Sequence, residues 1–90
     1  MRLELDIQII NKLGLHTRAA AKLVKLCSQF DSSIEISNHK RRANGKSMMS
    51  VMMLAASQGT KLKIVVEGKD AGEASRQISD LFESRFEESE

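Results

Sequence analysis

A glycine, a histidine, a hydroxyl and a guanidinium fall together in Gly14-Leu15-His16-Thr17-Arg18, followed at once by Ala19-Ala20-Ala21. The glycine permits a tight turn and the alanines favour a helix, so His16 is expected where a helix begins. A helix start presents unpaired backbone N–H groups and the positive end of the helix dipole, which makes it an anion site. Imidazole is a nucleophile near neutrality, with an ordinary pKa of about 6.5. A nucleophile inside an anion site is the chemistry of a group that receives phosphate and passes it on. His39, by contrast, falls in a polar hairpin turn and reads as surface. Cys27 falls on an apolar helical face and reads as an inert core thiol. Two distant histidines and one helical cysteine are not a metal constellation.

The elements that must position this site are legible as changes of period. Leu3, Leu5, Ile7 and Ile9 alternate with Glu4, Asp6 and Gln8, the pattern of a half-buried strand, and Asn11-Lys12-Leu13-Gly14 ends it with turn chemistry. From about Thr17 to Phe30 the spacing is helical. Ala20, Leu23, Val24, Cys27 and Phe30 form an apolar stripe, while Arg18, Lys22 and Lys25 form a basic ridge running back from His16. Ile34 and Ile36 mark a second strand and Arg41 to Asn44 a weak third. Ser47 is the expected N-cap of a second helix and Gly59 its C-terminal stop. Leu62, Ile64 and Val66 alternate with Lys61, Lys63 and Glu67 in a fourth strand. Asp70-Ala71-Gly72-Glu73 reads as a capping box. Ala71, Ala74, Ile78, Leu81, Phe82 and Phe86 follow as the core face of a third helix, with Glu87 to Glu90 expected to fray. The order β-α-β-β-α-β-α, with one polar sheet face, gives an α+β two-layer sandwich over residues 1–90 as one domain.

Composition bounds the partners. Ninety residues at 41% hydrophobic and 29% charged read as globular. The longest charge-free run, Ser47 to Thr60, is shorter than the ~20 residues of a membrane span, and Met1-Arg2-Leu3-Glu4 opens on an alternating pattern rather than an apolar leader. With a single cysteine excluding an internal disulfide, a cytoplasmic protein with no membrane partner is expected. The net charge of +2 conceals an asymmetry: from Asn11 to Lys46 eight basic residues stand against Asp31 and Glu35. Such a field favours an acidic partner or substrate and speeds encounter.

The second helix carries more apolar surface than docking requires. Val51, Leu54 and Ala55 share one side at helical spacing, whereas Met49, Met53 and Ala56 point nearly opposite, with Met52 on the flank. In a two-layer domain nothing covers them, and exposed methionines make adaptable binding surfaces. Burying Met49, Met52 and Met53 contributes ~1.5–3 kcal/mol each. Association costs ~4–15 kcal/mol. A weak, quickly dissociating complex is expected.

At these residues the chain resembles a known family. Gly14-Leu15-His16-Thr17-Arg18-Ala19-Ala20 is similar to the active-site motif of HPr, the histidine-containing phosphocarrier of the bacterial phosphoenolpyruvate-dependent phosphotransferase system. Lys46-Ser47-Met48-Met49, opening a helix some thirty residues later, resembles that family's second signature. Length, element order and both motifs match over essentially the whole chain. Asn11-Lys12-Leu13-Gly14, Phe30-Asp31-Ser32 and the Leu81-Phe82 to Phe86-Glu87 ending also resemble the nitrogen-related branch, NPr.

The resemblance implies an open-faced β-sandwich whose four antiparallel strands run in the order 1-4-2-3, with three helices on one face. It implies a stoichiometric carrier rather than an enzyme: His16 takes phosphate from phospho-enzyme I on Nδ1 and gives it to an enzyme IIA domain. The N–H groups of Thr17 and Arg18, with the Arg18 guanidinium, would hold the phosphate. Ala21, Lys25, Ser28, Met48, Met49, Met52 and Met53 match the family's docking surface. Ser47 matches the family's site for HPr kinase/phosphorylase, beside its reading as an N-cap. No metal or organic cofactor is implied, and a monomer is expected. One residue departs from the pattern: the family usually has proline after the arginine, where this chain has Ala19.

Two other readings remain open. An NPr-type regulatory carrier, not coupled to sugar uptake, shares all these motifs. A small nucleic-acid-binding domain would use Lys40-Arg41-Arg42 and the basic ridge, but such modules stack bases on aromatics. This chain has three phenylalanines, all at expected core positions, and neither tyrosine nor tryptophan, so no nucleic-acid partner is expected.

Overall fold

In a computed structural model, which describes residues 1–89, β1 (Arg2–Gln8) and β4 (Lys61–Glu67) run antiparallel with Leu5 opposite Ile64. Two-residue alternation does the placing. Leu62, Ile64 and Val66 are buried on one face, while Lys61, Lys63 and Glu67 are exposed on the other. β2 (Ser33–Ser37) adds to the far edge of β4, and β3 (Arg42–Asn44) pairs with β2 through a hairpin in which the Asn38 side chain accepts from the Lys40 and Arg41 amides. The sheet order is β1-β4-β2-β3, all antiparallel, as the resemblance implied.

Three helices bury their apolar stripes against the inner sheet face. α1 (Thr17–Cys27) buries Ala19, Ala20, Leu23 and Cys27. α3 (Ala71–Glu83) buries Ala71, Ala74, Ser75, Ile78 and Phe82. α2 (Met48–Met52) is a short helix that buries Val51. Burial of the Cys27 thiol pushes its pKa up to about 12, which keeps it protonated and inert.

The structure corrects several local expectations. α1 ends at Cys27, not Phe30. α2 stops at Met52, well short of Gly59: Ala55 turns left-handed (φ 49°) and the Ala56 carbonyl accepts from Leu15 N at 2.9 Å. That tertiary bond takes the chain out of helical phase, so Ala56 is buried and Ala55 exposed, the reverse of the helical projection. Asp70 precedes α3 but forms no capping box. Its carboxylate accepts instead from the amides of Asp31 and Ser32 and from Ser32 Oγ, tying the α1–β2 turn to the start of α3.

The tail differs most. Arg85–Glu87 forms a single left-handed turn, with φ of 57°, 54° and 64° at three consecutive non-glycine residues. Such backbone costs roughly 1–2 kcal/mol per residue. Against that cost, Phe86 is fully buried and meets Phe82 edge-on at 4.9 Å between ring centroids. Residues 87–89 therefore return to the body of the protein rather than fraying; Glu90 lies outside the described residues.

Candidate functional site

The strand-to-helix loop is held by the two ends of one turn. Gly14 adopts φ 64°, and a Cβ there would lie 2.6 Å from the Ala56 carbonyl oxygen and 2.8 Å from Ser57 Cα. Only glycine meets both the left-handed backbone and the close approach. Leu15 is buried beneath the loop, so the next residue, His16, is delivered to the first position before α1. It is the N-cap, with φ −72° and ψ 176°, and its carbonyl accepts the first helical bond from Ala20 N at 2.8 Å. The amides of Thr17, Arg18 and Ala19 therefore have no helical carbonyl to meet. No acidic residue stands in the first turn to occupy them.

His16 lines an open cleft of about 860 Å³ together with Lys12, Thr17, Arg18, Ala21, Lys22 and the tail residues Glu87, Glu88 and Ser89. Thr17 and Arg18 are exposed, and among the described residues the Arg18 guanidinium forms no ion pair. The imidazole is 28% exposed, and its Nε2 donates to Glu88 Oε2. Donation from His16 holds the Glu88 carboxyl below the usual carboxylate range; a bond from Asn11 acts in the same direction, against desolvation. Asn11 Nδ2 donates to Glu88 Oε1 at 3.2 Å and to the Gly14 carbonyl at 2.8 Å. Lys22 Nζ donates to the Phe86 carbonyl at 2.7 Å and lies 3.4 Å from Glu87.

Asn11 and Glu88 are the site residues that sequence reasoning missed. Asn11 reads as ordinary turn chemistry, and nothing local relates Glu88 to a histidine seventy-two residues earlier. The basic ridge was anticipated, but Lys22 turns inward to the tail.

The second expected group lies on α2 and the adjoining α1. Ser47 is the N-cap, its hydroxyl accepting from Ser50 N at 3.3 Å. Met49, Met53 and Met52 are 75%, 54% and 36% exposed, whereas Met48 is half-buried against the core. Ala21 and Lys25 are exposed on α1, and Ser28 is exposed at its C-cap. A separate cleft of about 630 Å³, lined by Asp6, Ser37, His39, Lys61 and Lys63 among others, shares no residue with the His16 cleft. Among the described residues no group of His, Cys, Asp or Glu could hold a metal, and no helix is long and apolar enough to cross a membrane.

Comparisons with known proteins bear on the family and the fold. Residues 3–84 match the family model described as the PTS HPr component phosphorylation site. The phosphocarrier protein HPr of Xylella fastidiosa is 49% identical over 86 residues, covering 96% of this chain and 97% of that one. The phosphocarrier protein NPr of Shewanella violacea is 38% identical, covering 97% and 96%. The crystal structure of HPr-C-His from Thermoanaerobacter tengcongensis superposes with a TM-score of 0.94 at 42% identity over 98% and 99% of the two chains. That of an HPr dimer from the same organism gives 0.78 at 44%, over 91% and 94%.

Proposed function

The chain belongs to the HPr family of phosphotransferase-system phosphocarriers, and from that premise we propose that His16 accepts a phosphoryl group from phospho-enzyme I and delivers it to an enzyme IIA component. The observation that carries this reading is His16 as the N-cap of α1, a nucleophile with unpaired amides directly behind it. Nε2 faces Glu88, so Nδ1 is the attacking nitrogen. Its lone pair meets the phosphorus in line with the donor's leaving group and forms a labile phosphoramidate. The amides of Thr17 and Arg18 and the Arg18 guanidinium hold the incoming oxygens. Charge-assisted hydrogen bonds are worth ~1.5–3 kcal/mol each. The helix dipole adds only ~0.3–1 kcal/mol. The donors therefore dominate, and they must not over-stabilise the bound phosphate or onward transfer stalls.

Met49, Met52 and Met53, with the half-buried Met48 and with Ala21, Lys25 and Ser28, form the docking surface in this reading. The carrier acts stoichiometrically, as one domain, in the cytoplasm, and as a monomer; the Thermoanaerobacter relative crystallised as a dimer stands against the last point. The carrier serves sugar transport or its regulation in this reading, with an NPr-type regulatory role as the alternative; relatives of both names match over nearly the whole chain. The exposed α2 face beside the Ser47 cap supports regulation of docking by phosphorylation at Ser47. Phosphoenolpyruvate with enzyme I, followed by mass analysis, tests the core of the proposal. An acid-labile adduct of one phosphoryl group, absent in His16→Ala, is expected; an unmodified wild type would overturn it.

A further inference from the structure

The Glu88 contact with His16 is built from both sides. On the loop side Asn11, fully buried, spans from the Gly14 carbonyl to Glu88 Oε1. On the tail side three consecutive left-handed residues redirect the chain, anchored by buried Phe86 and by Lys22 on the Phe86 carbonyl. Backbone held in sparsely populated regions beside a reactive group points to a role for what it positions.

We propose that Glu88 is a positioning residue for phosphoryl transfer: it holds the proton of His16 on Nε2, presents Nδ1 with its lone pair free, and offsets the positive charge the ring acquires on phosphorylation. This rests on the phosphocarrier reading given above. In the forward step the Nδ1 lone pair forms the N–P bond while the donor's bond to phosphorus breaks and its electrons leave with the donor. The ring keeps its Nε2 proton and becomes cationic, and the Glu88 carboxylate lies against that proton. In the onward step the N–P electrons return to Nδ1, and the ring departs as neutral imidazole still protonated on Nε2. No proton has to move in either direction. Without the carboxylate, the phosphorylated ring loses that proton to water more readily and must recover it before it can leave as a neutral group. Among the described residues the other charged groups lining the cleft are Lys12, Arg18, Lys22 and Glu87, and the Nε2 contact is made by Glu88.

The test compares wild type with Glu88→Gln and Glu88→Ala, phosphorylated on histidine by phosphoramidate, a small donor that needs no docking surface. Imidazole ¹⁵N resonances report the Nε2 proton directly. In phosphorylated wild type the proton should be lost at a pH about one unit higher than in either variant, as an opposite charge in contact implies. The wild-type adduct should hydrolyse several-fold faster above that pH. Identical midpoints and hydrolysis rates in wild type and Glu88→Ala would overturn the proposal. Faster uptake of phosphate by Glu88→Ala would also overturn it, since the carboxylate would then be an obstruction. If wild type takes no phosphate on His16, the phosphocarrier reading fails, and the unphosphorylated ring still decides whether Glu88 holds the Nε2 proton.

Discussion

Replacing Phe86 by alanine probes the tail more sharply than any surface change. The ring is fully buried and contacts Phe82 edge-on at 4.9 Å, so its removal forfeits a complete aromatic side chain. In a helical core such a truncation costs about 3–5 kcal/mol. Here the loss should be smaller, because the segment has an alternative. Burial of Phe86 contributes about 1.5–3 kcal/mol and the edge-on pair about 0.5–1.5. These are opposed by about 1–2 kcal/mol of left-handed strain at each of three residues. The aromatic contribution alone does not outweigh that strain; the bond from Lys22 Nζ to the Phe86 carbonyl and those from Asn11 and His16 to Glu88, worth about 1.5–3 kcal/mol each where a charged group takes part, complete the docking, and the penalty cannot exceed the free energy of docking. We expect Phe86→Ala to lose about 1–3 kcal/mol in denaturant unfolding, with the tail released as a unit. The melting temperature should fall by roughly 5–20 °C. Amide resonances of Glu87 to Ser89 should move to random-coil positions, and the His16 ring should lose its Glu88 contact. A loss of 4 kcal/mol or more with those resonances unchanged would refute the reasoning, as would no loss at all.

Gly14→Ala should destabilise by about 2–4 kcal/mol, combining left-handed strain with displacement of the Ala56 carbonyl, and should slow phosphorylation of His16; denaturation and transfer assays on the same preparation check both. Ser47→Asp should leave the melting temperature within about 2 °C, since Asp caps as well as Ser. It should nonetheless weaken enzyme I binding about tenfold, because a carboxylate beside the exposed methionines must be desolvated on docking; titration calorimetry reads this directly. Donation from Ser32 Oγ, and then from the Asp31 amide, holds the Asp70 carboxyl below its ordinary range. A lowered folded-state pKa gives stability that is present above the unfolded value and lost as pH falls through the folded one. Wild type should therefore lose melting temperature below about pH 4 more steeply than Asp70→Asn in parallel thermal scans.

Local periodicity was enough wherever one element's own residues decide its environment. Leu62, Ile64 and Val66 alternate with charged residues, and Ala20, Leu23 and Cys27 recur at helical spacing; both patterns survive folding unchanged. The same holds for the site's first half. A glycine turn, a histidine and an alanine-rich helix place a nucleophile at an anion-binding helix start by backbone geometry alone. The projection failed at Ala55 and Ala56, where a single bond from Leu15 overrides helical phase. It failed again at Asp70, whose carboxylate has sequence-local amides to cap but finds three donors on the α1–β2 turn instead.

The other half of the site was decided by tertiary structure. Arg85, Phe86 and Glu87 are residue types with no preference for left-handed backbone, so no local signal announces their turn. It forms because Phe86 finds the space beside Phe82 and Lys22 reaches its carbonyl, contacts between residues far apart in the chain. Asn11 then meets Glu88, and Glu88 meets His16, only because β1, α1 and the tail converge at one end of the molecule. The sequence by itself placed an imidazole at an anion-binding helix start, because a glycine turn and an alanine-rich helix are local features. Only the fold decided which carboxylate stands at the far nitrogen of its ring.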